Sequence, residues 1–179
     1  VTDLASAFRI GQGIDVHRFS DDPARKLVLG GVVISGVDIR GLDGHSDADA
    51  VAHAIADAVL GAAGLGDLGQ HAPDTDPTWS GADSMGILTW VVELAGEAGW
   101  SPVNADCTVV AEHPKLAPFV AEMAERLSAV LHAPVNVKAT RAEGLGALGR
   151  AEGIACTASV LMVSLAEEVS GEATPGVTA

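Results

Sequence analysis

The stretch from Gly41 to Gly69, GLDGHSDADAVAHAIADAVLGAAGLGDLG, constrains this chain most. Its alanine-rich centre has high helix propensity. Ser46, with Asp49 three residues on, reads as a capping-box-like start, and Gly61 and Gly64 are candidate stops, so the pattern predicts a helix over residues 47–63. Val51, Ile55, Val59 and Leu60 form an apolar stripe, while Asp49, His53 and Asp57 recur every four residues on a different face. Taken alone, that polar stripe is equally the solvated side of a surface helix.

A second polar pair shifts the balance. In RIGQGIDVHRF the alternation around Ile10, Ile14 and Val16 predicts a strand, with glycines permitting close approach or a bulge. Residues i and i+2 of a strand share a face, so Asp15 and His17 converge, and His53 is placed to complete the set from the helix. One carboxylate and two imidazoles suit Zn²⁺ with a coordination position left open, as in catalytic rather than structural zinc sites.

Length and composition bound the rest. The 179 residues fit one domain with a sizeable core, and 48% hydrophobic with only 3% aromatic content makes that core aliphatic. A net charge of −14 argues against a nucleic-acid partner. Cys107 and Cys156 lie in apolar, strand-like runs and read as buried free thiols of a reducing compartment. No run of 18 apolar residues and no signal peptide is visible, so the expectation is a cytoplasmic protein without a membrane partner.

In chain order, residues 1–8 read as a loose extension, 9–165 as the domain and 166–179 as a small, acidic, disordered tail. Strands are predicted at Phe8–His17, at residues 26–34 in one or two pieces antiparallel to the first, at Val103–Ala111, Val135–Ala139 and Ile154–Leu165. Helices are predicted over Ser84–Gly99, with Gly99 as C-cap, and over Lys115–Leu131, with Pro114 at its first turn. The polar segment 66–84 is long for a loop of a compact domain, a kind that is often functional or mobile. The sum is an α/β (α+β) domain, a mixed sheet with three helices on one face. The last strand is apolar at nearly every position, which predicts burial on both faces, by helices and by another subunit.

Two further clusters carry chemistry. Lys138, Thr140, Arg141, Glu143 and Arg150 surround the glycine-rich turn 143–153, either an anion-binding nest or an ordinary hairpin with solvated charges. His45 precedes the capped helix, where it is either a phosphate contact or a partner to another site residue. Asp67, Asp74 and Asp76 lie in the long loop, the last two close enough to hold a polyol or a cation.

The segments RIGQGIDVHRF, GGVVI, GLDGHSDADAVAHAIADAVLGAAGLGDLG, PDTDPTWSGADS, VNVKAT and LGRAEGIAC, in that order over residues 9–163, closely resemble the 2-C-methyl-D-erythritol 2,4-cyclodiphosphate synthase family of the non-mevalonate isoprenoid pathway. The resemblance implies a lyase that cyclises 4-diphosphocytidyl-2-C-methyl-D-erythritol 2-phosphate with loss of CMP. It implies a homotrimer, packed through its sheets, with sites at subunit boundaries. Zn²⁺ is then held by Asp15, His17 and His53, and Mg²⁺ or Mn²⁺ by Glu143 with the substrate diphosphate. The cytidine end is expected against Ala111, Pro114, Lys115, Leu116, Ala139 and Thr140 of the neighbouring subunit. Asp67, Gly69 and Asp74 are expected at the methylerythritol portion, and His45 and Ser46 at phosphate. His45, Lys138, Thr140 and Glu143 are the expected catalytic groups, with Asp76, Arg141 and Arg150 as further substrate contacts.

Three positions depart from the family pattern: Ala72 and Ala147 stand where aromatics are usual, and Arg141 where the family has a threonine. Arg141 either replaces a hydroxyl–phosphate contact with a charge-assisted one or crowds the nucleotide. A zinc hydrolase and a catalytically silent binding module stay as rival readings, the first weakened by the lack of an HExxH motif.

Overall fold

The computed structural model describes residues 4–36, 38–73, 75, 79 and 81–165. A four-stranded mixed sheet is built from β1 (Phe8–Arg18), β4 (Trp100–Val110), β5 (Val135–Thr140) and β6 (Gly153–Ser164), in the order β1-β6-β4-β5. β6 runs antiparallel to both β1 and β4, while β4 and β5 are parallel. The parallel pair is joined by α5 (Val120–Leu131), as a crossover requires. The first strand is as predicted. The 26–34 segment differs: β2 (Val28–Leu29) and β3 (Val32–Val33) pair only with each other, in a separate two-stranded sheet. Gly30 and Gly31 both take positive φ, which turns the chain back so that β2 and β3 pair with each other.

Across the sheet lies α2 (Ala50–Ala63), packed on β1, β6 and β4. Its contact with β1 is exceptionally close. A Cβ on Gly11 would sit 1.7 Å from the Ala58 carbonyl oxygen, and one on Gly13 would sit 2.0 Å from that of Ala54. These glycines therefore serve close approach, and β1 runs through them without a register shift. Most of α2 is buried, its alanines against the strands and Ile55, Val59 and Leu60 in the main core.

Helix starts differ from expectation in two places. Asp49, not Ser46, caps α2, accepting from the Val51 and Ala52 amides; Ser46 Oγ instead accepts from the Ala48 amide. The expected helix over 115–131 begins only at Val120, after turns that include Pro118, whose ring disfavours helical backbone at the residue before it. Pro114 consequently lies outside any helix, although Leu116 is still buried. α4 (Ser84–Glu97) is capped by Asp83 and ends at Ala98, one residue before Gly99 takes positive φ. Two short helices, α3 (Leu68–His71) and α6 (Gly146–Gly149), punctuate stretches expected as loop and turn. Residues 4–7 of the expected loose extension form the one-turn helix α1 (Leu4–Ala7). Asp74, Asp76 and the expected tail 166–179 lie outside the described residues.

The two faces of the sheet differ. Toward α2, Ile154, Cys156, Ala158, Val160 and Met162 of β6 are buried. On the other face, Ile10, Ile14 and Val16 are 77%, 63% and 60% exposed, and Ser159 of β6 is exposed as well. Burial on both faces of β6 is therefore not achieved within one chain. Cys107 and Cys156 are buried free thiols, and burial pushes the Cys107 thiol up to about 12. Among the described residues no helix is long and apolar enough to cross a membrane.

Candidate active site and metal centre

Asp15 and His17 leave β1 on the face that carries Gly11 and Gly13, toward α2, and His53 comes from the first turn of that helix. His17 Nε2 lies 3.0 Å and His53 Nδ1 3.4 Å from Asp15 Oδ2. One donor atom from each of the three side chains falls within 4.8 Å of the others. Their partners fix the outer side of the cluster. His17 Nδ1 is 2.7 Å from the Asp43 carbonyl oxygen, which can only accept, so that nitrogen carries a proton. In the neutral ring Nε2 is then a bare lone pair facing a carboxylate.

That convergence of electron pairs fits a divalent cation. Asp15 Oδ2 is buried and has no hydrogen-bond partner, as a ligand atom awaiting its ion would be. Burial works against the Asp15 carboxylate, but the two facing rings of His17 and His53, in their protonated form, outweigh it and bring its pKa down to about 2. Burial likewise opposes the charged form of His17, and Asp15 outweighs it, so the imidazole is raised above its ordinary value. A proton and a divalent ion would thus compete for one point.

The triad lines a cavity of about 470 Å³ together with His45, Ser46, Asp57, Gly69 and Trp79. The polar stripe of α2 faces inward: Asp57 Oδ1 accepts from the Leu68 amide at 2.7 Å, and Asp49 is fully buried. Asp49 accepts from the Gly30 and Gly31 amides at 2.8 and 2.7 Å in addition to its helix-cap bonds, tying the β2–β3 turn to the first turn of α2. Burial raises its pKa against the Gly31, Ala52 and Gly30 amides, which favour the carboxylate. Asp67 caps α3, and its carboxylate is engaged by Gln70 rather than turned into the cavity.

Three residues that line the cavity or brace its walls have no role read for them from local spacing. Arg25 donates to the Gly44 carbonyl at 2.9 Å and also to that of Ser46, bracing the segment that carries His45. Ser84, from the start of α4, places Oγ 2.9 Å from His53 Nε2 and donates to Asp47. Trp79 packs 5.3 Å from Trp90 and forms part of the wall. All three are brought in from distant sequence, and no local spacing announces them.

The remaining expected residues gather elsewhere. Ala111 and Thr140 meet at the C-terminal ends of the parallel strands, where the Ala111 amide donates to the Thr140 carbonyl at 3.0 Å. Pro114 and Lys115 line a separate cavity of about 430 Å³ with Phe19, Arg40 and His113. Arg141 is exposed and ion-paired to Glu112, a buried residue whose Oε2 has no hydrogen-bond partner. The hydrogen bond from Arg141 holds the Glu112 carboxyl below the usual carboxylate range. Glu143 follows in a left-handed turn at φ 51°. Lys138 is paired with Asp106, and Arg150 Nε lies 2.5 Å from Glu152. Neither these residues nor Ala139 and Leu116 line the triad's cavity.

The arrangement has counterparts. A family model described as "YgbB family" matches residues 8–163. A 2-C-methyl-D-erythritol 2,4-cyclodiphosphate synthase of Symbiobacterium thermophilum is 55% identical over 156 residues, covering 86% of this chain and 97% of the relative. The solved bifunctional IspDF of Campylobacter jejuni superposes with a TM-score of 0.82 at 41% identity, over 88% of this chain and 42% of that one. A Plasmodium falciparum IspF in complex with CDP superposes at 0.74 with 31% identity, over 88% and 97%. With its matched span running from the first residue of β1 nearly to the end of β6, and the triad inside it, the chain belongs to the YgbB family.

Proposed function

We propose that the chain converts 4-diphosphocytidyl-2-C-methyl-D-erythritol 2-phosphate to 2-C-methyl-D-erythritol 2,4-cyclodiphosphate and CMP, in isoprenoid precursor biosynthesis. The observation that carries this reading is the convergence of Asp15, His17 and His53 on one point, in a chain 55% identical to a synthase of that name. The reaction is an intramolecular phosphoryl transfer: an oxygen of the 2-phosphate bonds to the β-phosphorus, and the bond from that phosphorus to the CMP oxygen breaks. Reactant and product differ little in covalent demand on the protein, so positioning and charge neutralisation carry the rate.

Asp15, His17 and His53 would hold Zn²⁺, and the exposed Glu143 would hold Mg²⁺ or Mn²⁺, a hard ion that keeps water and phosphate ligands. Bound there, the ions supply Lewis-acid neutralisation of the substrate phosphates. The protein's own groups do the rest. His45 and Ser46 orient phosphate at the cavity wall, and Gly69 with the Asp67, Asp74 and Asp76 segment receives the methylerythritol portion. Trp79 and Ile87 exclude water from the same cavity.

The nucleotide end is assigned to Ala111, Pro114, Lys115, Leu116, Ala139 and Thr140 of a neighbouring subunit, with Lys138, Arg141 and Arg150 supplying positive charge. Two facts support this division: those residues do not line the triad's cavity, and β1 leaves an apolar face open. Ile10, Ile14 and Val16 suit a sheet-to-sheet homotrimer contact, with the helices on the opposite face. The domain spans residues 9–165, and a cytoplasmic setting suits the two free thiols.

The test is incubation of the chain with the cytidyl substrate, Zn²⁺ and Mg²⁺. CMP together with the cyclic diphosphate is the expected outcome. Free phosphate would mark a hydrolase instead, and binding without turnover a silent module.

A further inference from the structure

We propose that Ser84 is a positioning residue for the ligand His53: anchored by Asp47, its hydroxyl receives the Nε2 proton of His53 and leaves Nδ1 bare toward Asp15. Donor–acceptor accounting leads to this assignment. The Asp47 carboxylate can only accept, and it takes the Ser84 hydroxyl proton on Oδ1. With its single proton spent, Ser84 Oγ offers His53 Nε2, at 2.9 Å, only a lone pair. The proton between them must therefore belong to the ring. Ser46 Oγ, 3.2 Å from the same nitrogen, accepts from the Ala48 amide at 3.1 Å and turns its own proton to Ser84 Oγ at 3.3 Å, where Ser84, its proton given to Asp47, can only accept.

Without this relay the ring has a rival choice. Asp15 Oδ2 stands 3.4 Å from Nδ1 and would draw the proton to the very atom that a metal needs. Asp47 is itself held in place, since Oδ1 also accepts from the Asp49 amide at 3.2 Å and its own amide donates to the Ala82 carbonyl at 3.1 Å. The Gly81 amide, donating to the His45 carbonyl at 2.8 Å, pins the start of α4 beside the site. Ser84 itself is buried, so no water competes freely for its hydroxyl. Outer partners of this kind fix ligand tautomer and basicity, and losing one costs metal affinity about 10–100-fold.

The inference rests on the metal reading of the triad, and its test separates the two. Long-range ¹⁵N–¹H spectra of the metal-free protein report the His53 tautomer, and titration against a competing chelator reports zinc affinity. The wild type is expected to carry the proton on Nε2. Ser84→Ala and Asp47→Ala should each lose that preference and bind zinc about 10–100-fold more weakly. Asp47→Asn, which keeps an acceptor oxygen toward Ser84, should retain most of the affinity. Should Ser84→Ala not fold, as its amide spectrum would show, the Asp47 pair of variants decides. A wild-type ring protonated on Nδ1 overturns the proposal. So does an unchanged tautomer in folded Ser84→Ala or, if that variant does not fold, in Asp47→Ala. A wild type that binds no zinc defeats the metal reading alone, and the tautomer still decides this one.

Discussion

The two regions that the chemistry needs are built in opposite ways. The triad sits on the closest-packed contact of the fold, β1 against α2, with each ligand's backbone inside a regular element. The assigned nucleotide region sits where β4 and β5 end, on turns whose charged groups are largely exposed and paired with one another. A metal ligand set needs fixed distances, and a core supplies them before any ion arrives. On the proposed reading, strand ends and loops serve a pocket that admits and releases a nucleotide, with a second copy of the chain to complete it.

The sharpest test of the contrast is His53→Ala. It removes a ligand from the rigid half and should lower zinc affinity by more than the about 10–100-fold cost of losing an outer partner. Activity should fall with zinc content, while nucleotide binding measured by calorimetry should persist. Next comes Gly13→Ala, whose Cβ would meet the Ala54 carbonyl oxygen at 2.0 Å. Overpacking of that kind should cost about 3 kcal/mol in urea unfolding, and weaken zinc binding with it. In the open half, Arg141→Ala removes a charge-assisted contact to the substrate, so KM should rise roughly tenfold with a smaller change in kcat. An effect on zinc affinity instead would break the division between the halves.

The smallest expected effect is one of pH. The depressed Asp15 carboxyl stabilises the metal-free fold above its ordinary value of 3.8, and this contribution is lost as pH falls toward about 2. His17, raised above its ordinary 6.5, stabilises below 6.5, and its contribution is lost as pH climbs through the raised value. The metal-free protein therefore holds the full benefit of the pair between these limits. Zinc, which needs the neutral ring, should bind more weakly as pH falls through the raised His17 value. Its stabilising shift in Tm should accordingly grow from pH 5 to pH 8; a shift independent of pH would contradict the competition for one point.

Much of the site is legible in the sequence because the decisive spacings are local. An i, i+2 pair on a strand and a histidine on the next long helix are enough to suggest Asp15, His17 and His53. The burial of Asp49 is not legible, because two of its partners, the Gly30 and Gly31 amides, are nearly twenty residues away. Ser84 and Arg25 are invisible for the same reason, since a hydroxyl or guanidinium shows its role only once the fold delivers its partner. Pro118 is the readable warning about the third helix, and the strong apolar period around Met123 and Leu127 conceals it.

The missing methyl groups at positions 11 and 13 act as a gauge. They let a strand and a helix lie nearer than side chains ordinarily permit, and that nearness sets the bite of a carboxylate and an imidazole carried by different elements. Two residues with no chemistry of their own thereby help set the separation of the three triad side chains, and a single added carbon would force that separation wider without touching any of them.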